Sequence, residues 1–154
     1  MRQPERGFSL IELLIVVAII LIIAAIAIPN FVRARISANE ASAVTSIHAV
    51  STAEVGYSSA YPDVGFSTSL AVLGYGTPCS ATTACFLDAA LAGGKKSGYS
   101  FTYVGDGATP SIAYTINADP QVYGLTGQTG YYSDQDNAIH FNPTTTAGPT
   151  DPTL

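Results

Sequence analysis

Few residues in this chain are placed to do chemistry. Glu12 is a carboxylate at the mouth of a long apolar run, with Phe8, Leu10 and Ile11 before it and Leu13 to Ile28 unbroken after it. An acid carried into a bilayer costs ~2.5–3.5 kcal/mol even on a lenient scale, so Glu12 asks for a cationic partner. Cys79 and Cys85 stand six positions apart. Outside the cytoplasm a disulfide closing a small loop is the simplest reading, with free thiols and a metal site as alternatives. A metal would need further ligands, and the only imidazoles are His48 and His140, distant in sequence. Asp134-Gln135-Asp136-Asn137, with Asp119 as a further acid, offers oxygen ligands to calcium but lacks the spacing and terminal Glu of an EF-hand. A tight turn held by its own Asp and Asn side chains explains it better. His48 reads as an ordinary polar position on a helix, and His140 as a strand residue. Gly93-Gly94-Lys95-Lys96-Ser97 lacks the spacing of a phosphate-binding loop. No nucleophile–base order stands out. The expectation is a non-enzymatic chain with no catalytic residue, no metal and no cofactor.

The elements that must position Glu12 and the cysteines differ sharply in composition. The chain has 154 residues, 47% hydrophobic and 11% charged. That length suggests one domain with a modest core. The charged fraction is less than half the usual ~25%, too low for an ordinary disordered chain. The mean hydropathy of +0.30 averages two unlike segments. Twenty residues without formal charge separate Glu12 from Arg33, whereas the chain beyond Arg35 is polar and rich in Gly, Ser and Thr. From Ser37 onward two lysines face nine carboxylates, 2 − 9 = −7. Such a balance excludes a basic nucleic-acid binder, and the single apolar run excludes a multi-span membrane protein. Arg2 and Arg6 precede the run and Arg33 and Arg35 follow it, so flanking charge does not orient it.

The run is longer than the core of a cleaved secretory signal and continues into Pro29-Asn30-Phe31 as a helical pattern. A plain membrane anchor fits its length but does not explain Glu12. Arg6-Gly7-Phe8-Ser9-Leu10-Ile11-Glu12-Leu13-Leu14 resembles the processing site of type IV prepilins and type II secretion pseudopilins. The resemblance covers residues 1 to about 35 closely and the remainder only in general layout. It implies a leader over 1–7 that prepilin peptidase removes after Gly7, followed by N-methylation of Phe8. It makes Glu12 the fifth mature residue and puts Pro29 where that family has a helix-bending proline. Cleavage would create an α-amine about one helical turn from Glu12. The pair can neutralise within one subunit or set axial register between neighbours, and the family favours the second. A bare bend at Pro29 follows from its missing N–H; the resemblance adds loosening on passage from membrane to filament.

Beyond Pro29, Val44, Ile47, Val50, Ala53 and Tyr57 recur every three or four residues, a stripe on a continuing helix with Glu40, Ser46 and Glu54 off it. Tyr61-Pro62 ends that helix. Short helices are expected at Ser67–Leu73 and Cys85–Ala92, the second stopped by Gly93-Gly94. Alternation over 99–104, 111–116, 129–133 and 138–142 predicts antiparallel strands. The fold expected is therefore α+β: a long N-terminal helix, its first half apolar and its second half packed on a small antiparallel sheet, as in a pilin head. The expected divisions are a leader 1–7, a membrane or filament-core helix 8–36, and a head 37–154. The head comprises helix 37–60, loop 61–98, sheet 99–142 and tail 143–154.

Three functions are compatible with these residues. The resemblance puts first a pilin that enters the inner membrane with its head outside the cytoplasm and then joins a pilus. A pseudopilin would share every N-terminal feature and build a periplasmic pseudopilus. A membrane-anchored binding or adhesion module would keep residues 1–7. The partners implied by the resemblance are prepilin peptidase, other copies of the chain, an assembly ATPase, an inner-membrane platform and an outer-membrane secretin. The charge after cleavage, 4 − 10 = −6, argues against direct nucleic-acid binding by the monomer.

Overall fold

The computed structural model describes residues 8–154; Gly7 and the leader reading over 1–7 lie outside them. The chain forms two compact units divided between Ala34 and Arg35. Helix α1, Leu10–Ala60, contributes its first part to one and its second part to the other.

In the first unit α1 is apolar on all sides. Every large apolar side chain from Phe8 to Phe31 is 47–79% exposed, so the segment has no core of its own. Its length and mean hydropathy of 3.3 suit a membrane span. The helix runs on through Pro29, and the Asn30 side chain donates to the Ile26 carbonyl at 3.1 Å.

In the second unit α1 buries Ala43, Ile47, Val50, Ala53 and Tyr57, with Val44 partly buried, against a five-stranded sheet. The strands are β1 Lys95–Lys96, β2 Tyr99–Gly105, β3 Tyr114–Pro120, β4 Gly130–Asp134 and β5 His140–Asn142. They lie in sequence order and every neighbouring pair is antiparallel. Period-2 alternation turns Tyr99, Phe101, Tyr114, Ile116, Ala118 and Tyr131 to the helix. Each large side chain fully buried in this way contributes ~1.5–3 kcal/mol.

Several expected boundaries change. Helix α2 is Leu70–Leu73 and α3 is Ala89–Ala92, both shorter than expected. Cys85 has φ 61°, which no helix accommodates, and Asp88 starts α3 by accepting from the Ala90 and Leu91 N–H groups at 3.0 Å. The second long strand begins at Tyr114, not Ser111. Asp106 accepts from the Ile112 and Ala113 N–H groups at 3.0 and 3.2 Å, which ties that stretch into a loop and leaves Ile112 75% exposed. Residues 143–154 are hydrogen-bonded to the sheet. Phe141 N donates to the Pro152 carbonyl, Leu154 N to the Ile139 carbonyl, and the Asn117 side chain to the Ala147 carbonyl. Ser46 and Glu54, expected off the stripe, are both buried.

Candidate functional site

Glu12 stands at the third position of α1, and Ser9 is the residue just before the helix. The Ser9 N–H donates to Glu12 Oε2 at 2.9 Å, and the Leu13 N–H reaches the Ser9 carbonyl at 3.3 Å. The carboxylate thus reaches back to an N–H that the helix cannot satisfy, one half of a capping box. Its sequence signal, Ser9-x-x-Glu12, is legible but was not among the features that first marked Glu12. The negative side chain also suits the positive end of the helix. Beyond it Leu10, Leu13, Leu14, Val17, Ala18 and Leu21 line a shallow apolar groove along the helix surface. What this arrangement can do chemically is hold one carboxylate at a fixed height on an apolar rod.

The family model for the prokaryotic N-terminal methylation motif matches residues 2–28. The N-terminal segment carries that methylation motif. The chain is 52% identical over 55 residues to the type IV major pilin protein PilA of Myxococcus xanthus, covering 36% of this chain and 25% of that protein. It is 58% identical over 38 residues to the type IV wide pilus major component PilA4 of Thermus thermophilus, covering 25% of this chain and 29% of that protein. The chain therefore spans between a quarter and a third of the length of the curated relatives it matches. No solved structure matches it. The methylation-motif match takes in Phe8 and Glu12 and ends one residue before Pro29.

In the second unit Cys79 and Cys85 are joined by a disulfide with Cα atoms 5.7 Å apart. The loop they close is fastened to α1, because the Tyr57 hydroxyl donates to the Ala81 carbonyl at 2.7 Å. The 134–137 segment is a turn: the Asp136 N–H donates to Asp134 Oδ1 at 3.0 Å, the Asn137 N–H to the Asp134 carbonyl, and Asn137 has φ 60°. Asp119 accepts from the Tyr123 hydroxyl at 3.1 Å, away from that turn in the hydrogen-bond network. Among the described residues no group of three or more His, Cys, Asp or Glu is placed to hold a metal. His48 is exposed on α1, and the His140 ring nitrogen Nδ1 lies 2.6 Å from the Asp151 carbonyl.

The residue that sequence reading misplaced most is Glu54. It is fully buried, and its two oxygens accept from Ser67: Oε2 from the N–H at 2.9 Å and Oε1 from the hydroxyl at 2.5 Å. The Tyr103 hydroxyl donates to the Ser67 carbonyl at 2.8 Å. Burial raises the Tyr103 phenol above its ordinary range, and the nearby Glu54 carboxyl adds to that shift. This cluster joins α1 to the 61–69 loop and β2. It does so as structure, with every carboxyl oxygen engaged by protein.

Proposed function

We propose that the chain is a structural subunit of a type IV pilus. Prepilin peptidase removes a leader ending at Gly7 and methylates the new amine on Phe8. The apolar half of α1 then holds the subunit in the inner membrane, with the head outside the cytoplasm. Assembly exchanges lipid for the same helix of neighbouring copies, so one apolar surface serves two solvents. The α-amine of Phe8 and Glu12 of an adjacent copy pair in the apolar filament core and fix the axial step. Pro29, which leaves the Ala25 carbonyl without its helical donor, marks where the helix bends or loosens in that exchange. The assembly ATPase, the platform and the secretin are the partners of this reading.

The observation that carries it is the placement of Glu12 in the first turn of a helix whose large apolar side chains from Leu10 to Phe31 lie exposed. A carboxylate there is costly in lipid and useful only if a cation meets it. Both relatives are named as pilus components, and neither name carries an enzymatic activity; this supports a structural pilus role over a pseudopilus or an uncleaved binding module. The disulfide supports a head outside the cytoplasm.

Mass spectrometry of the chain from its native membrane tests the processing: the expected species begins with N-methylated Phe8, and an intact Met1 start refutes it. Glu12→Ala tests the register. The variant is expected to enter the membrane normally and give no filaments. Filament yield equal to that of the unsubstituted chain refutes the role of Glu12.

A further inference from the structure

We infer that Ser9 is a positioning residue for filament growth: its backbone N–H holds one oxygen of Glu12 and leaves the other for the α-amine that pairs with it. The inference deepens the register role proposed above for Glu12 and rests on it. On that reading residues 1–7 are gone from the mature subunit, so the described residues are all that remain to partner the acid. Among them Glu12 has one hydrogen-bond donor, the Ser9 N–H at 2.9 Å from Oε2, and Oε1 has none. The only ion pair among the described residues is that of Lys96 with Asp88. The next basic residue along the helix is Arg33, 33 − 12 = 21 positions on, which is ~30 Å at the helical rise.

Two separate costs meet at this contact. The N–H groups at a helix start have no intrahelical acceptor, and lipid offers no water in its place. A carboxylate at the same height lacks its hydration. A backbone N–H bonds an ionised carboxylate more strongly than a neutral acceptor, so each group relieves the other. The Ser9 carbonyl already serves the helix by accepting from the Leu13 N–H at 3.3 Å, while the Ser9 N–H stays outside the ladder.

The contact also limits where the acid can be. A glutamate side chain turns about several bonds and can carry its carboxylate several ångströms along the axis, whereas one residue of helix advances only ~1.5 Å. An untethered Glu12 could therefore meet an α-amine in more than one register. Bound back to Ser9, three residues earlier, the carboxylate lies over the first turn, the direction in which helical side chains already lean. Its rotamer is then fixed before a neighbour arrives, and such preorganisation strengthens the pairing. The bond uses the backbone, so the Ser9 hydroxyl is dispensable to it.

Ser9→Pro removes the N–H and keeps the carbonyl, whereas Ser9→Ala keeps both. Each variant is expressed from the native locus, and mass spectrometry of the membrane fraction separates processing from assembly. Ser9→Ala is expected to give filaments at the unsubstituted yield, and processed Ser9→Pro about tenfold fewer. An undiminished yield from Ser9→Pro, or equal losses from the two variants, overturns the proposal. Amide hydrogen exchange of the processed full chain in lipid nanodiscs reads the contact itself, and it decides the matter if the peptidase rejects Ser9→Pro. The Ser9 N–H should exchange about tenfold faster in Glu12→Ala. In Glu12→Gln, whose amide oxygen can still accept, it should stay within about twofold of the unsubstituted rate, although that variant loses the charge and gives no filaments. An unchanged Ser9 rate in Glu12→Ala overturns this proposal and leaves the register role standing. Faster exchange in Glu12→Ala with filaments at full yield overturns the register role, and the positioning role with it.

Discussion

The Ser67–Glu54 contact lends itself to a quantitative test. Ser67→Ala deletes the hydroxyl that Glu54 Oε1 accepts at 2.5 Å and leaves the backbone N–H on Oε2 at 2.9 Å. Both residues are fully buried, so water does not replace the lost donor. A hydrogen bond to a carboxyl in such a place is worth ~1.5–3 kcal/mol, and the missing oxygen leaves only a small void. The expected loss is ~2 kcal/mol. Glu54→Ala should cost more, ~3–5 kcal/mol, because it strands both Ser67 donors and opens a larger cavity. The assay is urea unfolding of the full chain in detergent, followed by the near-ultraviolet circular dichroism of its tyrosines. With a denaturant slope of ~2 kcal/mol/M, Ser67→Ala should move the midpoint by about 1 M. The double variant should show a coupling of ~1–2 kcal/mol between the sites. A Ser67→Ala midpoint unchanged within error, or strictly additive losses, would mean the contact does not stabilise the fold and refute the reasoning.

Three further outcomes follow from the head. Replacing both cysteines by serine should cost ~2–3 kcal/mol by loop-closure entropy and free the 79–85 loop from Tyr57; proteolysis near Ala81 reads the opening, and unchanged resistance would count against it. Burial raises the Tyr57, Tyr99, Tyr103, Tyr114 and Tyr131 phenols. Their contribution to stability is therefore complete below the unfolded value of ~10 and is lost as pH rises above it. The ionisation of these five phenols should then appear together with unfolding; their full titration at the ordinary value with circular dichroism intact would contradict this. Gly127→Ala puts a Cβ 2.6 Å from Tyr99 Cζ and should cost ~1–3 kcal/mol. Thermal unfolding measures it, and an unshifted midpoint would show that the Tyr99 ring yields freely.

Local patterns proved legible where one physical cause dominated. The apolar run, the stripe from Ile47 to Tyr57, the helix stop at Tyr61-Pro62 and the strand alternation after Tyr99 each follow from burial period or backbone sterics. The failures involve side chains that bond across the chain. Glu54 reads as a surface acid until Ser67, thirteen residues on, satisfies both oxygens. Residues 111–113 alternate like a strand, yet the Asp106 carboxylate captures their N–H groups. Backbone hydrogen bonding holds that carboxylate down at about 2. At the candidate site, Glu12 stood out by its charge in an apolar run, whereas its contact with the Ser9 N–H required knowing where the helix begins.

The pinned 151–154 segment has a consequence for the polymerisation proposed above. Strand β5 would otherwise present a row of bare peptide groups, and chains crowded side by side are the circumstance in which such rows cross-pair. Phe141 and Ile139 already spend theirs on Pro152 and Leu154, and His140 bridges to Thr153. At the opposite margin β1 is two residues long, and both are lysines. The sheet is thus guarded at one margin and kept short and charged at the other. On the proposed assembly, neighbouring copies could then crowd together with little strand edge open to cross-pairing.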